Sequence, residues 1–475
     1  MSPADDLATA IHGRERSLVE SLTRWVAIPS ISTDPEHAAD VRRSAEFLRR
    51  AALDAGFTVA EVWNTAGNPA VFAERIEDPL LPTILVYGHH DVQPVDPVQE
   101  WDRAPFEALE RDGQLLGRGT ADDKGHLVMH LEALRGYLGA RGRLPINLKL
   151  IAEGEEEDGS EHFRELLVEH HDRLQADVAV ISDTGMPGED VPALTVGLRG
   201  LAYWELRVET ASTDLHSGVY GGAVLNPITV LAEMLAKLHD RDGRVAVPGF
   251  YAEVVELGAA ERSGIAAIPF DERAFVAESD LVLGGESGFS TAERRTVRPT
   301  LELCGIWGGY QGAGAKTVIP ARAAAKLSSR LVPNQDADRV TELVEAFLRQ
   351  IAPAGVRIEF ETISTGRWVL TPSHHPAVSA AATVLEEIWG DTTRYIREGG
   401  SIPPVVALAE ELGVPCVLLG VGLPGDRIHA PNERVVLNQL FRGMQAVGLL
   451  WERYGELGKE TLSARPATAA PAPPA

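Results

Sequence analysis

Apolar positions recur at helical spacing near the start of the chain. Leu7, Ile11, Leu18, Leu22 and the pair Trp25–Val26 fall on one face, so residues 5–28 read as one amphipathic helix. A second helical stretch, Ala38–Ala55, stops near Gly56. The pattern then changes. Short continuous apolar runs at Thr83–Tyr87, Ile146–Ala152, Val178–Ile181 and Cys416–Leu419 read as buried strands. Between the first two lies a helix whose stripe is Leu127, Leu131, Leu134 and Leu138. Strands alternating with helices predict an α/β fold: a mixed, largely parallel sheet flanked by helices. The middle of the chain is patterned differently. Leu194–Val208 and Thr317–Val332 alternate like half-buried strands, and helices fit Pro227–His239 and Ala337–Ile351. This predicts an α+β two-layer sandwich, residues 195–372, inserted into a discontinuous first domain of residues 1–194 and 373–462. The Pro/Ala-rich stretch SARPATAAPAPPA, 463–475, reads as a disordered tail.

Composition narrows the function classes. The 475 residues carry 44 Lys+Arg against 69 Asp+Glu, a net charge of −25 that repels a nucleic-acid backbone and disfavours an anionic membrane surface. No stretch approaches the roughly 18 uninterrupted apolar residues of a membrane span. Cys304 and Cys416 follow no C-x-x-C spacing, which excludes a disulfide framework and a thiolate zinc site. The N-terminal MSPADDLATAIHGRERSLVESL has no apolar run like a secretory core, so a cytoplasmic protein is expected.

The residues just after each apolar run are more informative. Thr83–Gly88 delivers His89, His90 and Asp91; Ile146–Ala152 delivers Glu153, Glu155, Glu156 and Glu157. Val178–Ser182 delivers Asp183, and Cys416–Gly420 leads through GVGLPGDR to His429. Asp122–Asp123 sits just before the Leu127 helix. Each element alone has an ordinary explanation: a surface histidine, a solvated acidic face, a helix N-cap. Together they fall where open α/β sheets bind ligands, outside the carboxyl ends of strands. So many acidic groups in one place need cations, and His with carboxylates suits a divalent metal. The pattern reaches a metal site in an α/β domain. It does not reach a reaction.

The strings YGHHDVQP (87–94), GRGTADDKG (117–125), EGEEEDGS (153–160), ISDT (181–184), DLHSGVYGG (214–222) and REGGSIP (397–403) resemble the carnosinase-like dipeptidases. These are similar in turn to the dinuclear-metal peptidases that include glutamate carboxypeptidase, aminoacylase, acetylornithine deacetylase and succinyl-diaminopimelate desuccinylase. The resemblance runs from about residue 15 to about 455, and it implies a zinc-peptidase-like fold whose inserted domain serves as lid and dimerisation unit. It implies that His89 and Asp183 bind one metal, Glu157 and His429 the other, and that Asp122 bridges them. Two divalent ions per subunit are expected, Zn²⁺ or Mn²⁺. Glu156 is implied as general base toward a hydroxide held between the ions, and Asp91 as the partner that orients His89. A cis peptide is implied at Asp122–Asp123. His216 is implied to stabilise the oxyanion in the neighbouring subunit's site, which makes the expected enzyme a homodimer.

For the substrate, the resemblance assigns Arg330, Thr317 and Ser401 to the free carboxylate of a short unblocked peptide, with Asn226 also facing it. It departs in two places. Glu155 stands where relatives often carry an apolar residue. The Gly-rich turn that bears a histidine in carnosinases corresponds here to TISTGRW (362–368), without one, which leaves the usual grip on the substrate terminus, and carnosine as a substrate, without that support; His374 and His375 are expected to start the next helix. The expected activity is a metal-dependent dipeptidase. The alternatives are an N-acyl-amino-acid amidohydrolase using the same site and a catalytically silent peptide-binding dimer.

Overall fold

A computed structural model describes residues 3–278 and 280–463. The expected tail, 463–475, lies outside the described residues apart from Ser463. The chain divides into two compact units: residues 1–196, 371–396 and 402–475 in one, residues 197–370 and 397–401 in the other.

In the first unit, strands run in the order Val59–Trp63, Ala70–Arg75, Asn147–Glu153, Thr83–His89, Val178–Ile181, Cys416–Leu418 and Ala193–Leu198. The pairings among Asn147–Glu153, Thr83–His89, Val178–Ile181 and Cys416–Leu418 are parallel, and the flanking ones are antiparallel. These central strands are buried along nearly their whole length. That explains their continuous apolar runs, because helices cover both faces. The Lys124–Arg141 helix is buried almost all round, not only along its leucine stripe. Leu127, Leu131 and Leu134 join one core with Trp25, Leu48, Val86, Leu440 and Trp451.

The expected single helix 5–28 is two helices, Pro3–His12 and Glu15–Val26. The chain turns at Gly13–Arg14, where Arg14 N–H donates to Ile11 C=O. Both pieces bury Leu7, Ile11, Leu18 and Leu22 in the same core, so their periodicity looks unbroken. Ala38–Ala55 forms as expected and closes on Gly56 at φ 118°. Antiparallel strands Val59–Trp63 and Ala70–Arg75 and a small sheet of Leu109–Arg111, Gln114–Leu116 and Arg434–Val436 add to the expected elements.

The second unit is a four-stranded antiparallel sheet in the order Thr300–Gly308, Arg322–Leu331, Gly200–Glu209 and Arg357–Gly366. Its helices Pro227–Leu235 and Ala337–Ile351 share one core with Trp204, Leu206, Ala325 and Leu327. Along Gly200–Glu209 buried and less buried residues alternate, as one covered face requires. Leu194–Val208 is interrupted at Arg199. A Cβ on Gly200 would lie 2.7 Å from Gly366 C=O, so this position takes glycine to let two backbones approach. The helix expected over Pro227–His239 ends at Leu235.

Candidate active site

Parallel pairing sets the site. His89 lies opposite Glu153, and Tyr87 opposite Ile181, so the strands end together and their following loops emerge on one edge. His89 is fully buried. Its Nε2 lies 2.9 Å from Asp122 Oδ1 and 3.7 Å from Asp183 Oδ2. On the other side of Asp122, Oδ2 is 2.9 Å from His429 Nε2, which is 3.2 Å from Glu157 Oε2. His89, Asp122 and Asp183 form one cluster of ligand atoms; Asp122, Glu157 and His429 form another. The shared member is Asp122, one oxygen to each.

Neighbouring groups aim these atoms. His89 Nδ1 lies 3.2 Å from Asp91 C=O and 3.3 Å from Asp91 Oδ1, leaving Nε2 for the cluster. Asp91 also accepts from Glu157 N–H at 3.1 Å. Gln93 Nε2 donates to Glu157 Oε2 at 2.7 Å. His429 reaches in from a loop with positive φ, 63°. The Asp122–Asp123 peptide is cis. Asp123 precedes the helix but caps it with no side-chain hydrogen bond. Its carboxylate instead accepts from His89 N–H and pairs with His126 Nδ1 at 2.8 Å.

Glu156 opens a single 3₁₀ turn, Glu156–Asp158, and belongs to neither cluster. That turn points adjacent glutamates differently, with Glu157 in a cluster and Glu156 free of both. Glu155 turns away altogether. It accepts from the N–H groups of Asn68 and His162 and pairs with His162 Nδ1 at 3.0 Å. A Cβ on Gly67 would sit 1.8 Å from Glu155 Oε1, so glycine makes room for that carboxylate. The extra charge of the EGEEED run thus serves to hold a loop.

Electrostatics mark the site as short of positive charge. Burial, then the charges of Asp122 and Asp123, hold Asp183 well above the usual carboxylate range. Burial, then Glu157, Asp122 and Asp91, push Glu156 up to about 7 against the pull of His89. Burial opposes a charged His89, yet hydrogen bonds to Asp122 and Asp91 outweigh it and raise its pKa. Hydrogen bonds to Asp122 and Glu157 raise His429 to about 10. Imidazole and carboxylate ligands of this kind fit divalent cations, which would supply the charge the cluster demands. No cysteine takes part; Cys304 and Cys416 are free thiols.

The remaining candidates lie in the second unit. Arg330 Nη1 donates to Ser401 Oγ at 3.0 Å, and Ser401 Oγ donates to Arg199 C=O at 2.6 Å. His216 pairs with Val318 across a short ladder, and Ser217 N–H donates to Thr317 C=O at 3.1 Å, so His216 and Thr317 are neighbours. His216 is exposed. Asn226 Oδ1 accepts from Ile228 N–H at 2.9 Å and caps the Pro227–Leu235 helix. TISTGRW falls at the end of the Arg357–Gly366 strand. His375 is the N-cap of the Pro376–Trp389 helix, its Nδ1 accepting from Ala377 N–H, with His374 just before it. Gln93, Arg118 and Asp123 fall inside the strings that carry the resemblance and Glu433 lies outside them, yet nothing in residue type or spacing shows that these groups hold a ligand in place.

A model described as Peptidase family M20/M25/M40 matches residues 85–453. The chain is 32% identical over 461 residues to the Cys-Gly metallodipeptidase dug1 of Schizosaccharomyces pombe, covering 93% of this chain and 96% of that one. It is 31% identical over 439 residues to the human Beta-Ala-His dipeptidase, covering 88% and 86%. Among solved structures, a metallo-carboxypeptidase of Sulfolobus solfataricus superposes with a TM-score of 0.77 at 31% identity, covering 93% and 99%. The di-peptidase Dug1p of Saccharomyces cerevisiae gives 0.75 at 28% identity, covering 96% and 99%.

Proposed function

The chain belongs to Peptidase family M20/M25/M40, and from that premise we propose that it is a metal-dependent dipeptidase cleaving short unblocked peptides. The observation that carries the reading is the pair of ligand clusters joined through Asp122, with Glu156 beside them and in neither.

His89 and Asp183 would hold one divalent ion, Glu157 and His429 the other, with Asp122 between. When bound, such ions polarise the scissile carbonyl and make water a stronger acid. Glu156 then acts as general base. A carboxylate that belongs to neither ligand cluster keeps its lone pairs free to take a proton from the attacking water and return it to the leaving amine. Asp91 keeps His89 in the tautomer and direction its role needs. Arg330, steadied by Ser401, offers a fork that matches a peptide's terminal carboxylate, with Thr317 and Asn226 as further polar contacts. Zinc suits the histidine share of the ligands and is the ion we assign, with manganese accommodated by the carboxylates.

We further read the enzyme as a homodimer with residues 195–372 as lid and dimerisation domain, and His216 serving the partner's site. Two features support this. Thr300–Gly308 is an edge strand with Leu303, Ile306 and Trp307 exposed. Exposed Val219, Tyr220, Val224, Leu225 and Ile228 come after His216, and Ile228 lies beside Gly308 of the edge strand. Patches of that kind mark interaction surfaces. Free thiols agree with a cytoplasmic setting, and no helix of the described residues is long and apolar enough to cross a membrane.

The test is hydrolysis of one dipeptide in three forms by metal-reconstituted protein: free, N-acetylated and C-terminally amidated. Cleavage of the free form alone is expected. Release of acetate from the acetylated form would instead make the protein an N-acyl-amino-acid amidohydrolase, and binding without cleavage of any form would make it a peptide-binding dimer.

A further inference from the structure

One ion pair lies close to the ligand clusters and belongs to neither. Arg118 and Glu433 are 1% and 0% exposed, and their charges meet at 2.7 Å between Nη1 and Oε2. Taking two charges out of water costs several kcal/mol per ion, and a buried pair often stabilises no better than apolar side chains of similar volume. Stability alone is therefore a weak reason for this one.

The contacts of the pair are informative. Glu433 Oε2 also accepts from Gly119 N–H at 2.9 Å, while Oε1 accepts from Ala121 N–H at 2.9 Å and Asp122 N–H at 3.2 Å. One carboxylate thus gathers the backbone donors of the loop that ends in Asp122, including the N–H of Asp122 itself. Arg118 Nη2 donates to Pro94 C=O at 3.0 Å, three residues beyond Asp91. Its guanidinium also lies over the Trp101 ring, 5.4 Å from the centroid. Glu433 stands four residues after His429 on the same loop. The backbone around it is held as well: Gly117 N–H donates to Glu433 C=O at 2.9 Å, and Asn432 Oδ1 accepts from Asp102 N–H at 2.8 Å. The pair consequently ties together the segments that bear Asp91, Asp122 and His429, which are far apart in sequence.

We propose that Arg118 and Glu433 are positioning residues for the metal centre, clamping the Asp122 loop to the His429 loop so that both oxygens of Asp122 face their partners. The inference rests on the assignment of Asp122 and His429 as metal ligands. A ligand carboxylate on a loose loop must be ordered when the ion binds, and a clamp formed in the folded protein removes that cost. Groups that orient metal ligands typically change affinity by roughly 10–100-fold when altered.

The experiment uses full-length protein stripped of metal, titrated with Zn²⁺ against a chromogenic chelator, as wild type, Glu433→Gln and Arg118→Lys. The glutamine keeps the size of the side chain but presents an NH₂ where N–H donors already converge. The lysine keeps the charge but cannot hold Glu433 and Pro94 in one planar fork. Melting of the metal-free proteins is followed in parallel. Zinc binding weaker by roughly 10-fold or more in Glu433→Gln, and by a smaller factor in Arg118→Lys, with both variants folded when metal-free, is the expected result. A purely structural ion pair would lower the metal-free melting temperature and leave zinc affinity per folded molecule unchanged, which would overturn the inference while the site assignment stands. Failure of both variants to fold would also overturn it, making the pair a folding element. Wild-type protein that holds no zinc would bring down the site assignment and this inference together.

Discussion

The two larger sheets of this protein handle burial in opposite ways. Thr83–His89 and Asn147–Glu153 are covered on both faces, so their middle side chains are mostly apolar; the exception is Lys149, whose Nζ donates to the carbonyls of Arg173 and Gln175. Gly200–Glu209 is covered on one face, so buried residues alternate with partly exposed ones. Polar groups just beyond the strands of a doubly covered sheet lie against its buried core and are largely desolvated. His89 and Asp91 are fully buried, and burial is the largest influence on Glu156 and Asp183. The singly covered sheet leaves polar and apolar groups open, including Trp307 on the edge strand and His216 in its loop. The first arrangement suits shifting protons and gathering charge. The second suits gripping a substrate and meeting a partner.

If that contrast holds, substitutions at the buried edge should change metal content or kcat, and those in the second unit should change KM, assembly or stability. Asp122→Ala is expected to have the largest effect, because it removes the member common to both clusters: metal analysis should find both ions depleted and turnover at background. Full metal content in that variant would break the bridging assignment. Glu156→Gln should retain its metal while kcat falls by roughly 10²–10⁴-fold, the usual worth of a general base. Metal loss there would mean that base and ligand have been exchanged.

Trp307→Glu places a charge on the exposed edge strand. Sedimentation should show monomers, with kcat down by about 10²-fold if His216 must reach a partner's site to act as an oxyanion donor. Monomers of full activity would sever assembly from chemistry. Arg330→Lys keeps the charge but loses the bidentate fork; a loss of about 1.5 kcal/mol raises KM roughly tenfold for a free dipeptide, with kcat little changed. The C-terminally amidated form should stay uncleaved by both proteins. Asp336→Ala should have the smallest effect. Its side chain accepts from Arg339 N–H at 2.9 Å at the start of the Ala337–Ile351 helix. Losing that cap should lower stability by about 1 kcal/mol in a denaturant melt without touching turnover.

Much of the fold is legible because its signals are local. Ala38–Ala55 and Ala337–Ile351 each carry one apolar stripe and a clear end, and the central strands are runs that only a doubly covered sheet accommodates. The paired helices Pro3–His12 and Glu15–Val26 read as one because both bury the same kind of face and the turn at Gly13 spans too few residues to disturb the period. The need for glycine at position 200 is invisible in the sequence because it comes from the distant backbone of Gly366.

At the site, the sequence by itself determined which chemistry was on offer: histidines and carboxylates after apolar runs, and no thiolate. Residue type and strand periodicity are properties of the chain, and ordered motifs bring family membership with them. How those groups divide is implied in the sequence only through the motif resemblance; the physical ground for the division lies in the tertiary structure. Adjacent Glu155, Glu156 and Glu157 are chemically identical, yet one holds a loop, one stands apart and one joins a ligand cluster. Asp122 and Asp123 separate just as sharply, the first into both clusters and the second onto His89 N–H and His126. The physical reason is that direction and partners, set by parallel register and by contacts such as Arg118–Glu433 across 315 positions of chain, are not encoded in any one segment.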